Sequence, residues 1–141
     1  MYALSFSFSR SACISSIMEV NDLLTQEGVD YTLGKIVGIG GTVTTMGAVK
    51  HQLKQYNAAV IHGSTLDMAD IDGQIVDYSL KTLAERKEIP GLPPGRADII
   101  LAGACLVKAI LTRLSGFELI ISDRGLRHGL AYEMLKERAP Q

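Results

Sequence analysis

The chain has 141 residues and a formal net charge of −1, and 47% of its residues are apolar although only 6% are aromatic. This length suffices for a buried aliphatic core, so we expect residues 1–141 to form a single domain. The balanced charge argues against non-specific nucleic-acid binding, and no apolar run approaches the roughly 20 residues that span a membrane. Cys13 and Cys105 match no zinc or redox spacing, so we expect a cytoplasmic protein with both thiols reduced.

The first 34 residues predict a strand and a helix. Apolar residues alternate with serines over 4–8, which is the period of a half-buried strand and favours an edge or lid strand over a transit peptide. Ser16 and Glu19 have the spacing of a capping box, which predicts a helix that ends near Gly28.

A glycine-rich turn, Gly-Ile-Gly-Gly-Thr at residues 38–42, separates a predicted strand over 35–39 from a predicted helix over 43–53. Such a turn aims backbone N–H groups and the positive end of the helix at one point, where a phosphate can bind. Glycine leaves room for a close anion and permits a positive φ, and Thr42 is placed to cap the helix. The spacing fits neither the dinucleotide fingerprint nor the P-loop, so a purely structural turn is the alternative.

Two further elements are predicted after this turn. Residues 58–61 form a short apolar run, which predicts a strand that ends at His62. Asp67 then begins a long helix, whose inward-facing residues are Ile71, Ile75, Tyr78 and Leu83. A histidine at a strand end either contacts a ligand or bonds a backbone carbonyl, and the structural role is favoured for His62.

The last third of the chain predicts two helices around one strand. Arg96 follows a proline-rich loop and opens a helix with an apolar face of Ile100, Leu101, Ala104, Val107 and Leu111. Residues 119–121 predict a buried strand, and an amphipathic helix follows over 126–138. Because strands alternate with helices, the sequence predicts an α/β layered fold with ligands at the carboxyl ends of its strands.

Three segments and one dipeptide, in this order, resemble the Ppx/GppA family of exopolyphosphatases and guanosine pentaphosphate phosphohydrolases. They are VGIGGTVTT at 37–45, His62-Gly63, LPPGRADIILAG at 92–103 and ISDRGLRHG at 121–129. The resemblance covers residues 35–138, whereas residues 1–34 lack a clear match. It implies the C-terminal half of an actin-like (ribonuclease H-like) ATPase superfold, with a small mixed sheet flanked by helices.

The resemblance implies phosphate or nucleotide binding by five residues. They are Gly38, Gly40, Gly41, Thr42 and Arg96. An arginine at a helix start opposes the helix dipole, so something else must favour it there. A guanidinium that grips phosphate oxygens would account for Arg96, and a salt bridge to Asp98 or Glu88 is the alternative.

The turn after the last predicted strand has mainly structural interpretations. Asp123 and Arg127 are expected to hold this corner by hydrogen bonds and pairing, although both, like His62, are possible ligand contacts. Ser122 is expected to cap the last helix. His128 departs from the family, which usually has glutamate there, and a histidine weakens any pairing of that position with a cation near neutral pH.

The N-terminal half of the family has no counterpart in the matched segments. No stretch resembling Asp-x-Gly-x-Gly-Ser occurs, and the family's catalytic glutamate belongs to that half. The resemblance therefore assigns no catalytic and no metal-binding residue to this chain, and places the ligands of the implied Mg²⁺ outside it. We expect no turnover by the chain alone, because phosphoanhydride hydrolysis needs a general base and metal-supported charge neutralisation.

Three functions are left open. In the first case, the chain is half of a phosphoanhydride hydrolase that acts on polyphosphate or guanosine polyphosphate, and it works with a separate N-terminal half. Alternatively, it is a non-catalytic module that binds polyphosphate or a nucleotide. In the third case it is a folded fragment whose exposed apolar face forms a homodimer.

Overall fold

A computed structural model of the protein describes residues 36–114 and 118–138. The strand predicted over 4–8, the helix predicted from Ser16, and Cys13 lie outside these residues. The described elements are, in chain order, β1 (Ile36–Ile39), α1 (Gly41–Lys50), α2 (Ala58–Ile61), β2 (Thr65–Asp67), α3 (Met68–Leu80), α4 (Leu83–Arg86), a 3-10 helix (Pro94–Arg96), α5 (Ile100–Arg113), β3 (Glu118–Ser122) and α6 (Leu126–Arg138).

The three strands form one mixed sheet in the order β1-β3-β2. β1 runs parallel to β3, with Ile39 opposite Ser122, and β2 runs antiparallel to β3, with Leu66 opposite Leu119. β3 is therefore the central strand, and its alternate residues Leu119 and Ile121 are buried. Because β1 and β3 are parallel, the turns that follow them meet at the same edge of the sheet.

Helix α1 packs directly on the sheet, and six consecutive residues of it are buried. A Cβ on Gly47 would lie 2.5 Å from the Cδ1 atom of Ile121, so glycine at this position lets α1 approach the central strand. The buried Gln74 of α3 connects this helix to α1 by a hydrogen bond. Its amide nitrogen donates to the Met46 carbonyl at 2.9 Å, and its amide oxygen accepts from the Tyr78 hydroxyl at 2.8 Å.

The periodic elements predicted from the sequence are confirmed in the described residues. The strands β1 and β3 and the helices α1 and α6 lie where the patterns placed them. Asp67 begins α3 through a reciprocal capping box: its carboxylate accepts from the Asp70 N–H at 2.7 Å, and the Asp70 carboxylate accepts from the Asp67 N–H at 3.0 Å. The predicted inner face of α5 is buried or half-buried, and comprises Ile100, Leu101, Ala104, Val107 and Leu111.

The strand predicted over residues 58–61 is wrong, because these residues form the single-turn helix α2. The Asn57 side chain caps this turn by accepting from the Ala59 N–H at 3.0 Å. The strand lies a few residues later as β2, where Leu66 is buried against the central strand. A four-residue apolar run does not by itself distinguish a strand from a buried helical turn. Here the Asn57 cap favours the helical turn.

The predicted start of helix α5 at Arg96 is also wrong, since this helix begins at Ile100 and Arg96 ends the preceding 3-10 helix. The Arg96 N–H donates to the Pro93 carbonyl at 2.8 Å, which closes this tight turn. Proline at the start of the turn favours it, because its φ is preset and it has no N–H to satisfy. Leu83 does not continue the inner face of α3, because it begins α4 and is 47% exposed.

The composition predicted that no segment spans a membrane and that the cysteines are reduced. No helix within residues 36–114 and 118–138 is long and apolar enough to cross a membrane. Cys105 is a free cysteine, half-buried on α5.

Candidate functional site

A cleft of about 380 Å³ opens at the carboxyl ends of β1 and β3. Its walls come from the start of α1, the loop after α1, the 3-10 helix and the turn between β3 and α6. The parallel pairing of β1 with β3 brings the start of α1 and the β3–α6 turn to the same edge of the sheet. The cleft therefore lies where ligands bind in sheets of this kind.

The glycine turn leaves the start of α1 open on one wall of this cleft. Gly40 is the N-cap residue with φ 93°, a conformation that favours glycine, and it is exposed. The N–H groups of Gly41, Thr42 and Val43 donate to no acceptor among the described residues, and the first turn of α1 contains no acidic side chain. The positive end of α1 is thus uncompensated by the described residues, which favours a bound anion.

The guanidinium of Arg96 lies directly over this turn. A Cβ on Gly41 would lie 1.9 Å from Arg96 Nη1, so the missing side chain of Gly41 is what makes room for the cation. Arg96 Nη1 donates to the Thr45 hydroxyl at 3.2 Å. The alternative ion pair with Asp98 or Glu88 is not among the salt bridges of the described residues. Most donors of this guanidinium thus remain available to an anion.

Two of the five predicted binding residues do not line this cleft. Gly38 and Thr42 line a separate apolar groove of about 250 Å³ between β1 and α5. The Thr42 methyl carbon lies 2.6 Å from the position that a Cβ on Gly103 would occupy, so its side chain packs against α5. The prediction that Thr42 caps α1 is wrong, because Gly40 is the N-cap and no side-chain cap is present. Gly40, Gly41 and Arg96 are the predicted residues that the structure brings together in the cleft.

The start of α6 forms the opposite wall. Arg127 and His128 in its first turn are exposed and line the cleft, and the Gly125 carbonyl accepts from the His128 N–H at 2.9 Å. The expected pair of Asp123 with Arg127 is not among the ion pairs of the described residues. Ser122 does not cap α6, because its hydroxyl bonds the main chain of Arg124 within the turn instead. Two arginines and the starts of two helices therefore line the same cleft.

The β3–α6 turn is held by a histidine and a tyrosine. The Asp123 N–H donates to His62 Nδ1 at 3.3 Å, so His62 has a structural contact, although it accepts from an amide rather than bonding a carbonyl as predicted. The Tyr56 hydroxyl donates to Asp123 Oδ1 across 67 residues of sequence. Burial, followed by the neighbouring Asp123 carboxylate, raises the pKa of Tyr56 to about 12, so its phenol stays protonated at neutral pH.

Tyr56 is a cleft residue that the sequence does not reveal. It lies in a polar loop without periodicity, between Gln55 and Asn57, and its partner Asp123 follows a strand much later in the chain. A single tyrosine in a loop carries no motif, so only the tertiary contact identifies it.

The described residues do not fit a Mg²⁺ ion by themselves. Within these residues, no three His, Cys, Asp or Glu side chains are grouped to hold a metal. Asp123 is the only carboxylate among the described residues that line the cleft, and its side chain already accepts from Tyr56. Mg²⁺ prefers six oxygen ligands in an octahedron, so one occupied carboxylate is not a site for it.

The model of the Ppx/GppA phosphatase family matches residues 3–138. The match thus extends into the serine-rich start, beyond the resemblance over residues 35–138. Exopolyphosphatase 2 of Mycobacterium tuberculosis is 31% identical over 102 residues, which cover 70% of this chain and 32% of that protein. The bifunctional 3-dehydroquinate synthase/phosphatase of Fusobacterium nucleatum is 28% identical over 103 residues, 73% of this chain and 15% of that protein.

Solved structures agree in fold. The Ppx/GppA phosphatase of Aquifex aeolicus superposes with a TM-score of 0.68 at 31% identity, covering 70% of this chain and 33% of that one. An exopolyphosphatase-like protein superposes with a TM-score of 0.73 at 24% identity, covering 94% and 44%. The chain therefore spans about a third or less of the curated relatives' length. The predicted fold class is confirmed: a small mixed sheet flanked by helices, forming part of an actin-like fold.

Proposed function

Because this chain belongs to the Ppx/GppA phosphatase family, we propose that its cleft binds the phosphates of a polyphosphate or guanosine polyphosphate. In this proposal it forms one half of the active site of a phosphoanhydride hydrolase. The observation that carries the proposal is the convergence of the Arg96 guanidinium and the open start of α1 on Gly41. The curated relative named exopolyphosphatase 2 supports this substrate class.

Phosphate suits this cleft because its oxygens accept several hydrogen bonds at once. The Gly41 and Thr42 amides, which have no acceptor among the described residues, point out of the helix start beside a guanidinium that can donate to two oxygens. Arg127 adds a second cation from the opposite wall. Positioned donors of this kind also neutralise the charge that spreads over the phosphoryl oxygens during transfer.

The arginines and amides of the cleft supply binding and charge neutralisation, and neither Asp123 nor His62 is free to transfer a proton. The Asp123 carboxylate accepts from Tyr56, and His62 Nδ1 accepts from the Asp123 amide, so both are already engaged. A general base must be within hydrogen-bond reach of the attacking water and able to take its proton. We infer that this base, and the metal ligands, belong to the N-terminal half that the family has.

The first experiment measures binding of tripolyphosphate, ATP and guanosine tetraphosphate by calorimetry. Replacing Arg96 by Ala is expected to weaken tripolyphosphate binding at least about tenfold, because a charge-assisted hydrogen bond contributes roughly 1.5–3 kcal/mol. Arg113→Ala is the matched control, since Arg113 is exposed at the end of α5 and lies outside the cleft. An unchanged affinity in the Arg96 variant would remove this residue from the site.

The second experiment separates an enzyme from a binding module. The chain is mixed with the N-terminal half of a family member, and phosphate release from polyphosphate and guanosine pentaphosphate is measured with Mg²⁺ present. Release that depends on Arg96 supports the hydrolase. Tight binding without release, with both pieces folded, favours the non-catalytic module instead.

Helix α6 offers the surface on which such a half would pack. Leu126, Leu130 and Leu135 are 85%, 65% and 70% exposed. Exposed apolar side chains along one helix are typical of an interaction surface. Without the partner half we expect this surface to drive a homodimer, so the sedimentation coefficient should rise with concentration; a monomer at every concentration would contradict this.

A further inference from the structure

Tyr56 and Asp123 form a contact that crosses the cleft. Tyr56 belongs to the loop after α1, Asp123 follows β3, and both side chains line the proposed phosphate site. The Tyr56 hydroxyl donates to the Asp123 carboxylate, while the Asp123 N–H donates to His62 at 3.3 Å. Asp123 is therefore held by its main chain on one side and by its carboxylate on the other.

The Asp123 carboxylate lines the same cleft as two arginines but pairs with neither of them. Within the described residues, neither Arg96 nor Arg127 has a carboxylate oxygen within 4.0 Å, although Asp123 lines the cleft with them. Opposite charges in a partly desolvated cleft attract one another strongly. An Asp123–arginine pair would cancel the positive charge that an anionic ligand needs. Among the described side chains, the Tyr56 phenol is the group that donates a hydrogen bond to this carboxylate.

We propose that Tyr56 is a positioning residue that holds the Asp123 carboxylate away from Arg96 and Arg127, and so keeps both cations available for phosphate. This inference rests on the proposed function, because it describes how the same cleft is kept ready for its ligand. A hydrogen bond from a neutral phenol to a carboxylate is charge-assisted and strong enough to fix the rotamer of a short side chain. The phenol suits this task because it stays a donor throughout the neutral pH range.

A different role for Tyr56 would give a different mutational pattern. Tyr56 is 54% exposed, and neighbouring Thr44 and Arg96 partly offset the rise in the pKa of its hydroxyl. If Tyr56 itself bonded the ligand, removal of its hydroxyl would weaken binding whether or not Asp123 carried a charge. If it acts through Asp123, neutralising Asp123 makes the hydroxyl dispensable.

The experiment is a double-mutant cycle with tripolyphosphate as the calorimetric probe, using Tyr56→Phe, Asp123→Asn and the double variant. We expect Tyr56→Phe to weaken binding about five- to tenfold, because the released carboxylate pairs with an arginine. Asp123→Asn should bind as tightly as the wild type or slightly tighter. The double variant should match Asp123→Asn, because no charge remains to be held.

A loss in the double variant as large as in Tyr56→Phe would overturn the proposal and place the hydroxyl on the ligand. Tyr132→Phe and Asp72→Asn are matched controls, since Tyr132 is 72% exposed on α6 and Asp72 pairs with Lys108 on the surface. Neither should change the affinity. Circular dichroism and thermal melts of each variant establish that it is folded.

A ligand-free measurement separates this inference from the proposed function. The crystal structure of Tyr56→Phe should show the Asp123 carboxylate paired with Arg96 or Arg127. A carboxylate that stays in place overturns the positioning role, even if tripolyphosphate binds well. Conversely, a wild-type chain that fails to bind any of the phosphate probes overturns the proposed function, while the crystallographic result still decides the role of Tyr56.

Discussion

Helices α1 and α3 both begin with backbone N–H groups that have no acceptor within the helix, but the side chains around the two starts differ. At α3 one of these donors is satisfied by the protein itself: the Asp67 carboxylate accepts from the Asp70 N–H in a capping box, and Lys50 donates to Asp70 at 2.7 Å. At α1 the N-cap is Gly40, no side chain caps the helix, and no acid occurs in the first turn. A helix start that carries its own carboxylates has no use for an external anion. We therefore propose that the open start of α1 belongs to the ligand site, whereas the capped start of α3 belongs to the scaffold.

The largest effect is expected when α1 is made to resemble α3. Gly41→Asp places a carboxylate beside Arg96, where the cation and the amides would otherwise meet a phosphate. We expect tripolyphosphate affinity to fall at least about 100-fold, or roughly 2.7 kcal/mol, through repulsion and internal pairing. Calorimetry measures the loss. Gly73→Asp on α3 is the control, because a Cβ there meets nothing within 4 Å; an affinity retained by Gly41→Asp would mean that phosphate does not bind at this turn.

A smaller effect is expected when the cap of α3 is removed. Asp67→Ala leaves the Asp70 N–H without its acceptor and should lower the free energy of unfolding by about 1 kcal/mol. Urea denaturation measures the change, and the anion affinity should stay constant because α3 lies outside the cleft. Asp98→Ala, at an exposed position, is the reference. If the two variants were equally stable, the cap would contribute nothing to the scaffold.

The smallest effect is a pH dependence of the same capping box. Burial raises the pKa of Asp70, but the hydrogen bonds from Lys50 and from the Asp67 N–H outweigh it, so the net pKa lies below its ordinary value of 3.8. A carboxyl with a lowered pKa in the folded state contributes stability above its unfolded pKa and loses it as the pH falls. Asp70→Asn should therefore cost a few tenths to about 1 kcal/mol near pH 6 and progressively less below about pH 4. Urea titrations of both proteins at pH 6 and pH 3 measure this, and a difference independent of pH would exclude the charge of Asp70 as its source.

The amino-acid sequence by itself determined the local features of this protein. Periodicity located β1, β3, α1, α5 and α6, and an aspartate before an apolar stripe located the start of α3. The glycine turn predicted a helix start that can bind a phosphate. Gly40 adopts a positive φ, a conformation that glycine favours. These signals succeed because the conformation of a turn or the face of a helix depends on residues a few positions apart.

Only the tertiary structure decided which side chains share the cleft. The pairing of β1 with β3 brings Gly41 and Asp123 to one edge, packing against Gly103 turns Thr42 away, and the Asn57 cap converts a predicted strand into a helical turn. Tyr56 enters the site through a contact 67 residues away in sequence. Such contacts depend on how layers pack in three dimensions, and no local pattern encodes the partner that a loop residue will meet.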